Sequence, residues 1–292
     1  MIRKVICIVA IAIQTISGSQ AQYTEAGIQM GVSNYLGDLV PPRQFFLEGS
    51  FSIGGFFQYN LTNRISVRGS LLYGQLKGDD NNSNFDSGRR QRNLDFKTHL
   101  FELAVIGQVN LLPYQPKHDF RPVTPYGLLG IALFNFNPYT KYKGKDVYLQ
   151  PLGTEGQGID GYSPKYARWQ ISIPLGIGIK VCVNKHLHFH AEVGVRKTFT
   201  DYIDDVSGDY VAIQTLRKEN GLQAANLSNR TYDDDGNQIE RVGIPRGSAA
   251  KDWYSFMGVG LSYSFQSGRS YFRKKEKGVT HKKRKNNGGK WM

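Results

Sequence analysis

The chain has 292 residues, a formal charge of +13 and a mean hydropathy of −0.42. No long apolar run follows Ile16, which excludes a bundle of transmembrane helices, and Cys182 is the only cysteine after Cys7, which excludes an internal disulfide beyond the leading segment. From Gln266 onward ten Lys and Arg face a single acid, Glu276, so this end carries +9, Arg3 and Lys4 carry two more, and the body between is left near +2.

The first stretch reads as an export signal. Arg3 and Lys4 form a basic start, Val5 to Ile16 is largely apolar, and Ser19-Gln20-Ala21 offers the small residues a signal peptidase needs. A dozen apolar residues are too few for a spanning helix, which needs about 20. Cleavage is expected between Ala21 and Gln22, giving a signal peptide over 1–21. Cys7 lies too close behind Lys4 to be a lipoprotein cysteine.

From Gln22 on, the period is two. Ala26, Ile28, Met30 and Val32 alternate with Gly27, Gln29 and Gly31. Phe51, Ile53, Phe57 and Tyr59 oppose Ser52, Gly54 and Gln58, and Ile65, Val67, Leu71 and Tyr73 oppose Ser66, Arg68 and Ser70. Phe101, Leu103, Val105, Val109 and Leu111 oppose Glu102, Ala104, Gln108 and Asn110. The stretch from Tyr126 to Phe136 is apolar on both faces and fits less cleanly. From Trp169 to Val183 every odd position is apolar, a run well beyond the usual soluble strand. Leu187, Phe189, Ala191, Val193 and Val195 oppose His188, His190, Glu192 and Arg196. Trp253, Met257, Val259, Leu261, Tyr263 and Phe265 oppose Gly258, Gly260, Ser262 and Ser264, and Gly260, Tyr263 and Phe265 fit the spacing of a barrel-assembly signal.

The links between these strands sort by length. Thr62-Asn63, Pro113 to Arg121 and Asn184-Lys185 are the shorter ones. They alternate with Asn34 to Glu48, Gly78 to Asn93, Pro138 to Arg168 and Asp204 to Ala250. Outer-membrane barrels have short periplasmic turns and long outer loops. The expectation is an all-β antiparallel transmembrane barrel of about eight strands over 22–266, with both termini periplasmic and a basic periplasmic tail over 267–292.

Gln29, Arg68, Glu102, Gln108, Gln170, Lys180, Glu192 and Arg196 fall on the inward face. In a barrel of eight strands such side chains fill the interior and leave no channel. His188, His190 and Glu192 share that face beside Cys182 and could ligate zinc, or they are lumen polar residues; the latter is expected, with no metal and no cofactor. Asp233 to Asn237 has a calcium-loop flavour, but Val242 stands where the twelfth-position Glu is required. Asp235-Gly236 between Thr231-Tyr232 and Gln238-Ile239 fits a hairpin turn instead. No Gly-x-Ser-x-Gly motif accompanies the six histidines, so no enzyme is expected. Export argues against nucleic acid as the partner of the basic tail. An acidic periplasmic protein surface or anionic lipid suits it better, with Lys117, His118 and Arg121 of the neighbouring turn joining Arg273, Lys274, Lys275, Lys282, Lys283, Arg284 and Lys285.

Gly31-Val32-Ser33-Asn34-Tyr35-Leu36-Gly37-Asp38-Leu39 resembles a segment of the PorG-like outer-membrane barrels of Bacteroidota, linked to type IX protein secretion and gliding motility. The layout of signal peptide, this segment, eight strands and a basic end is similar too. The resemblance implies a non-enzymatic barrel in outer-membrane lipid that anchors a periplasmic ring made of a lipoprotein and its partner protein. A generic structural or adhesive surface barrel is the alternative, and a lipid hydrolase or acyltransferase a more distant one. Asn34, Tyr35, Gly37 and Asp38 also have a local reading as shapers of the first loop.

Overall fold

The computed structural model describes residues 23–40, 48–83, 88–114, 123–184, 186–248 and 250–265. In chain order the strands are β1 (Tyr23–Leu36), β2 (Ser50–Asn60), β3 (Ile65–Asp79), β4 (Asp95–Asn110), β5 (Val123–Asn135), the short β6 (Tyr139–Tyr142) and β7 (Lys145–Tyr148), then β8 (Trp169–Cys182), β9 (Leu187–Thr198) and β10 (Trp253–Ser264). All but β6 and β7 form one antiparallel sheet in which each strand pairs with its neighbours. β5 pairs β8, β3 pairs β4, and β1 pairs β10 from Glu25↔Ser264 to Leu36↔Trp253, so the sheet closes on itself. The result is an eight-stranded barrel with no free edge.

The period of two decides which side chains face where. Across the middle of the barrel the outward residues are apolar and largely exposed, among them Ile177 at 70%, Ile131 at 67% and Phe51 at 65%, which only a hydrocarbon surround makes favourable. From Ile65 to Tyr73 on β3 this belt is about 20 Å tall, given roughly 3.4 Å per residue and a tilt near 40°. Tyr59, Tyr263 and Phe265 edge it at one end; Tyr73, Phe101, Trp169 and Trp253 edge it at the other. Among the described residues no helix is long and apolar enough to cross a membrane.

The two ends differ. Leu61 to Arg64 closes one with a tight turn in which Thr62 Oγ1 accepts from the amides of Arg64 and Ile65 at 3.1 and 2.9 Å. The Asn184 turn and the outer ends of β1 and β10 lie at that same end. The opposite end carries the four long connections. They hold structure that strand periodicity did not predict: the β6–β7 hairpin, whose one ladder pair with the barrel is Lys97↔Tyr139, and the short helices α1 (Gly88–Arg92), α2 (Ile213–Glu219) and α3 (Leu222–Ser228).

Two expectations need correction. β1 does not stop at Val32 but runs to Leu36, so Asn34 and Tyr35 belong to the strand and only Gly37 to Val40 forms a turn, closed by a bridge between those two residues. β5 does follow the alternation, with Tyr126, Leu128, Ala132 and Phe134 inside and Leu129, Ile131 and Leu133 outside. It looked two-sided because its inner face packs with Ala104 and Ile106 as an apolar wall of the lumen.

Candidate functional site

The interior is filled from end to end, and its charges come in layers. Nearest the short turns, the Lys180 ammonium donates to Glu25 at 2.5 Å; Glu25 also accepts from Asn60 at 3.1 Å and from the Ser262 hydroxyl at 2.8 Å. In the middle Arg68 meets Glu192 at 2.8 Å, and the Tyr126 hydroxyl donates to the same carboxylate at 3.1 Å. Nearer the long loops Arg196 meets Glu102 at 3.3 Å, which also accepts from Tyr254 at 2.7 Å. All six charged groups are at most 5% exposed. A buried charge survives only with a partner, and each of these has one. The three carboxylates and Arg196 gain further hydrogen bonds, Lys180 lies over the Tyr114 ring, and Arg68 leaves its Nε without a hydrogen bond among the described residues.

These contacts locate the inward residues read from sequence. Arg68, Glu102, Lys180, Glu192 and Arg196 all enter the ion-pair layers; Gln29 and Gln108 are buried on the lumen face, the latter donating to Asn110 at 3.1 Å, and Gln170 sits at the rim, donating to the Ala167 carbonyl at 3.0 Å. Glu25, the acid that Lys180 requires, was missed, although extending the β1 alternation two residues before Gly27 would have placed it inside. Tyr114 gave no such signal. It lies in a turn, yet its ring is buried under Lys180, 4.8 Å from the ammonium, with its hydroxyl 2.7 Å from His188.

The histidines have separate duties. His188 meets Tyr114, His190 meets Ser262 at 2.8 Å, and Glu192 is taken up by Arg68, so the three do not converge. The Ser262–His190 contact has the look of a nucleophile and base. The serine proton, however, goes to Glu25, which leaves the His190 nitrogen as the donor, and Ser262 is 1% exposed. Cys182 donates to the Asn184 carbonyl at 3.2 Å. Asp233 to Asn237 forms the expected hairpin turn, with Asp233 N donating to the Asn237 carbonyl at 2.9 Å and a Tyr232↔Gln238 bridge.

Over the other end the long loops form a folded cap whose hub is the segment Asn34 to Leu39. The Tyr35 hydroxyl, fully buried, lies 2.6 Å from Asp204 and 2.8 Å from Asp252, and accepts from the Asp38 amide at 3.0 Å. A Cβ on Gly37 would fall on the Tyr35 hydroxyl and the Asp252 carboxylate, so only glycine fits there. Asp38 accepts from the Ser248 amide at 2.9 Å, and its carbonyl accepts from Arg92 at 3.0 Å. Arg92 grips Asp80 with two bonds of 2.7 and 2.8 Å. Arg246, 2% exposed, ties Glu155 at 3.0 Å to the carbonyls of Ser228 and Asp205. Beneath lies the apolar core of Tyr35, Leu39, Val40, Leu76, Phe96, Phe134, Phe136, Ile203 and Val206. Burial pushes the Asp204 carboxyl well above the usual carboxylate range, aided by the nearby Asp252 charge; burial raises Asp252 likewise. Asp205 is raised to about 6 by burial, against the pull of Arg246.

Ala21, Gln22, Lys117, His118, Arg121, Arg273, Lys274, Lys275, Lys282, Lys283, Arg284 and Lys285 lie outside the described residues. Asn34, Tyr35, Gly37 and Asp38 are thus the predicted site residues that the structure places, and it brings them together at the cap.

Residues 3–226 match the model of a family described as a domain of unknown function, DUF6089. The chain belongs to the DUF6089 family. No curated protein matches the sequence. Among solved structures it is similar to the attachment invasion locus protein Ail of Yersinia pestis, with 11% identity, a TM-score of 0.40 and coverage of 84% of this chain and 99% of that one. Neisserial surface protein A follows at 11% identity and a TM-score of 0.39, covering 83% and 97%. OprG from Pseudomonas aeruginosa has 12% identity and a TM-score of 0.37, covering 85% and 98%.

Proposed function

We propose that this DUF6089 protein is a non-enzymatic outer-membrane barrel that anchors or stabilises a periplasmic ring of the type IX protein secretion machinery, with gliding motility as the linked process. The observation that carries this reading is the filled lumen. Three layers of ion pairs and an apolar wall leave no path through the barrel, so its working surfaces are the two ends and the lipid belt. The likeness of Gly31 to Leu39 to the PorG-like segment supports the choice of machine. The short-turn end, where β1 begins and β10 ends, is assigned to the periplasm, and there the +9 tail suits an acidic partner such as the ring lipoprotein or its companion. Deleting residues 267–292 is expected to leave the barrel inserted in the outer membrane but to lower co-purification of ring components, in a salt-sensitive way. Changing Lys282, Lys283, Arg284 and Lys285 together to Gln should reproduce part of the loss, and changing Asp233 to Asp235 should not. Full co-purification and secretion with the truncated chain would refute the tail's role.

A second reading, a structural or adhesive surface barrel, draws on the cap. Its loops are cross-braced by Arg92, Arg246 and Tyr35 into a defined shape, which a pure anchor does not need. Loss of adhesion on deleting the β6–β7 hairpin, with secretion intact, would favour it.

A further inference from the structure

Lys77 and Lys97 stand directly opposite each other in the β3–β4 register, on the outward face of the barrel. Like charges so placed, with Cβ atoms about 5 Å apart, repel. The next outward pair toward the loops is Asp79↔Asp95, but these acids are engaged elsewhere: Asp95 forms an ion pair with Arg230 and accepts from Thr140 at 2.9 Å, and Asp79 accepts from the Asn81 amide at 2.8 Å. Among the described residues neither ammonium makes an ion pair or a side-chain hydrogen bond. Lys197, the outward lysine of β9, is by contrast drawn over the Trp253 ring, 5.9 Å from its centre.

Below the two lysines, toward the belt, is a ledge of linked side chains. The rings of Tyr73, His99 and Tyr139 stack in a row with centres 5.9 and 5.8 Å apart. Tyr73 Oη is 2.9 Å from His99 Nδ1, and Gln75 donates to Tyr139 Oη at 3.1 Å. Tyr73↔Phe101 marks the edge of the apolar belt, and the lysines are two outward pairs beyond it. Each pair adds about 5 Å of height at a tilt near 40°. That puts the backbone of the pair roughly 10 Å past the belt edge, just beyond the head-group layer, which is about 5–8 Å thick on each side of the hydrocarbon, so the lysine stems have only to lean back toward the belt to set their amines within it.

We propose that Lys77 and Lys97 clamp the phosphate of an anionic lipid in the leaflet on the long-loop side, with the Tyr73–His99–Tyr139 ledge supporting the lipid below its head group. A phosphate whose charge is not balanced within its own head group relieves the repulsion between the lysines and accepts from both. The site rests on the reading of the chain as a membrane barrel with its long loops in the outer leaflet.

The test refolds the full chain into phosphatidylcholine vesicles containing either phosphatidylglycerol or lipid A, followed by gentle solubilisation and native mass spectrometry of retained lipid. Wild type should retain anionic lipid in preference to phosphatidylcholine. Each of Lys77→Gln and Lys97→Gln should lower that preference roughly fivefold, the ratio matching about 1 kcal/mol per basic residue at an anionic surface. Lys143→Gln with Lys218→Gln, an equal loss of charge in the loops, should leave it unchanged. Preference for lipid A alone identifies phosphomonoesters, and preference for both lipids identifies any anionic phosphate; either supports the clamp. Equal retention by the Lys77→Gln/Lys97→Gln variant, or capture of inorganic phosphate in place of lipid, overturns it. Failure of wild type to show a heat-modifiable, vesicle-inserted band overturns the barrel reading along with it, whereas insertion without lipid preference overturns the clamp alone.

Discussion

Tyr35 has one hydroxyl proton but lies within hydrogen-bond distance of two carboxylates, and its oxygen already accepts from the Asp38 amide. The second short contact therefore needs a proton on Asp204 or Asp252, in keeping with the upward push that burial gives both acids. A carboxyl whose native pKa is raised holds more protons folded than unfolded, so it contributes fully below the unfolded value near 4 and loses that contribution as pH climbs through the raised native value. Protease cleavage within 199–252 should accordingly speed up as pH rises from about 4. Asp204→Asn, which mimics the protonated acid, should flatten the profile, and Tyr35→Phe should raise cleavage at every pH by removing bonds worth about 1–3 kcal/mol. A flat wild-type profile would contradict the shared proton. Inside the barrel the test is Glu192→Gln, which strips the fully buried Arg68 of its counter-charge. It is expected to cost about 3–5 kcal/mol in a urea titration, whereas Arg68→Met combined with Glu192→Leu should cost much less.

At the scale of elements, β8 shows how one strand serves two solvents. Ile171, Leu175, Ile177 and Ile179 face lipid while Ser172 and Lys180 face the lumen, and its glycines leave space: the Tyr126 ring occupies the place of a Gly178 side chain. Ile177→Lys puts a charge at the middle of the belt and is expected to cost about 2–4 kcal/mol, read as a lowered folded fraction in vesicles. The same change made in a long loop, at Ile239, should cost little. An unaffected Ile177→Lys barrel would mean that this face is wet. The cap is assembled differently, from irregular segments joined by Arg92 and Arg246 to backbone carbonyls as well as carboxylates.

For the molecule as a whole, closure and filling go together. With eight strands the bore has room only for side chains, and the layers Lys180–Glu25, Arg68–Glu192 and Arg196–Glu102 occupy it, sealed by Tyr114 at one end and by the cap core at the other. Planar-bilayer recordings of the refolded chain should show no reproducible unitary conductance. Discrete steps in wild type, abolished by Lys180→Met, would show an open lumen.

The barrel itself was legible residue by residue, because a strand that separates lipid from a packed lumen must alternate, and the alternation in Trp169 to Val183 or Leu187 to Arg196 needs no tertiary information. Loop lengths likewise fixed the two ends, since an antiparallel barrel puts every second connection on one side. What sequence could not supply was pairing across the bore. Glu25 and Lys180 are 155 positions apart and meet only because closure brings β1 and β8 to face each other. The cap was hidden for the same reason: Asp204 and Asp252 are pushed toward the protonated form only once Tyr35 and the apolar core exclude water around them. Alternation is a local consequence of which solvent each face meets, whereas partner choice is set by the curvature of the closed sheet and the path of the loops, which no short stretch of the chain encodes.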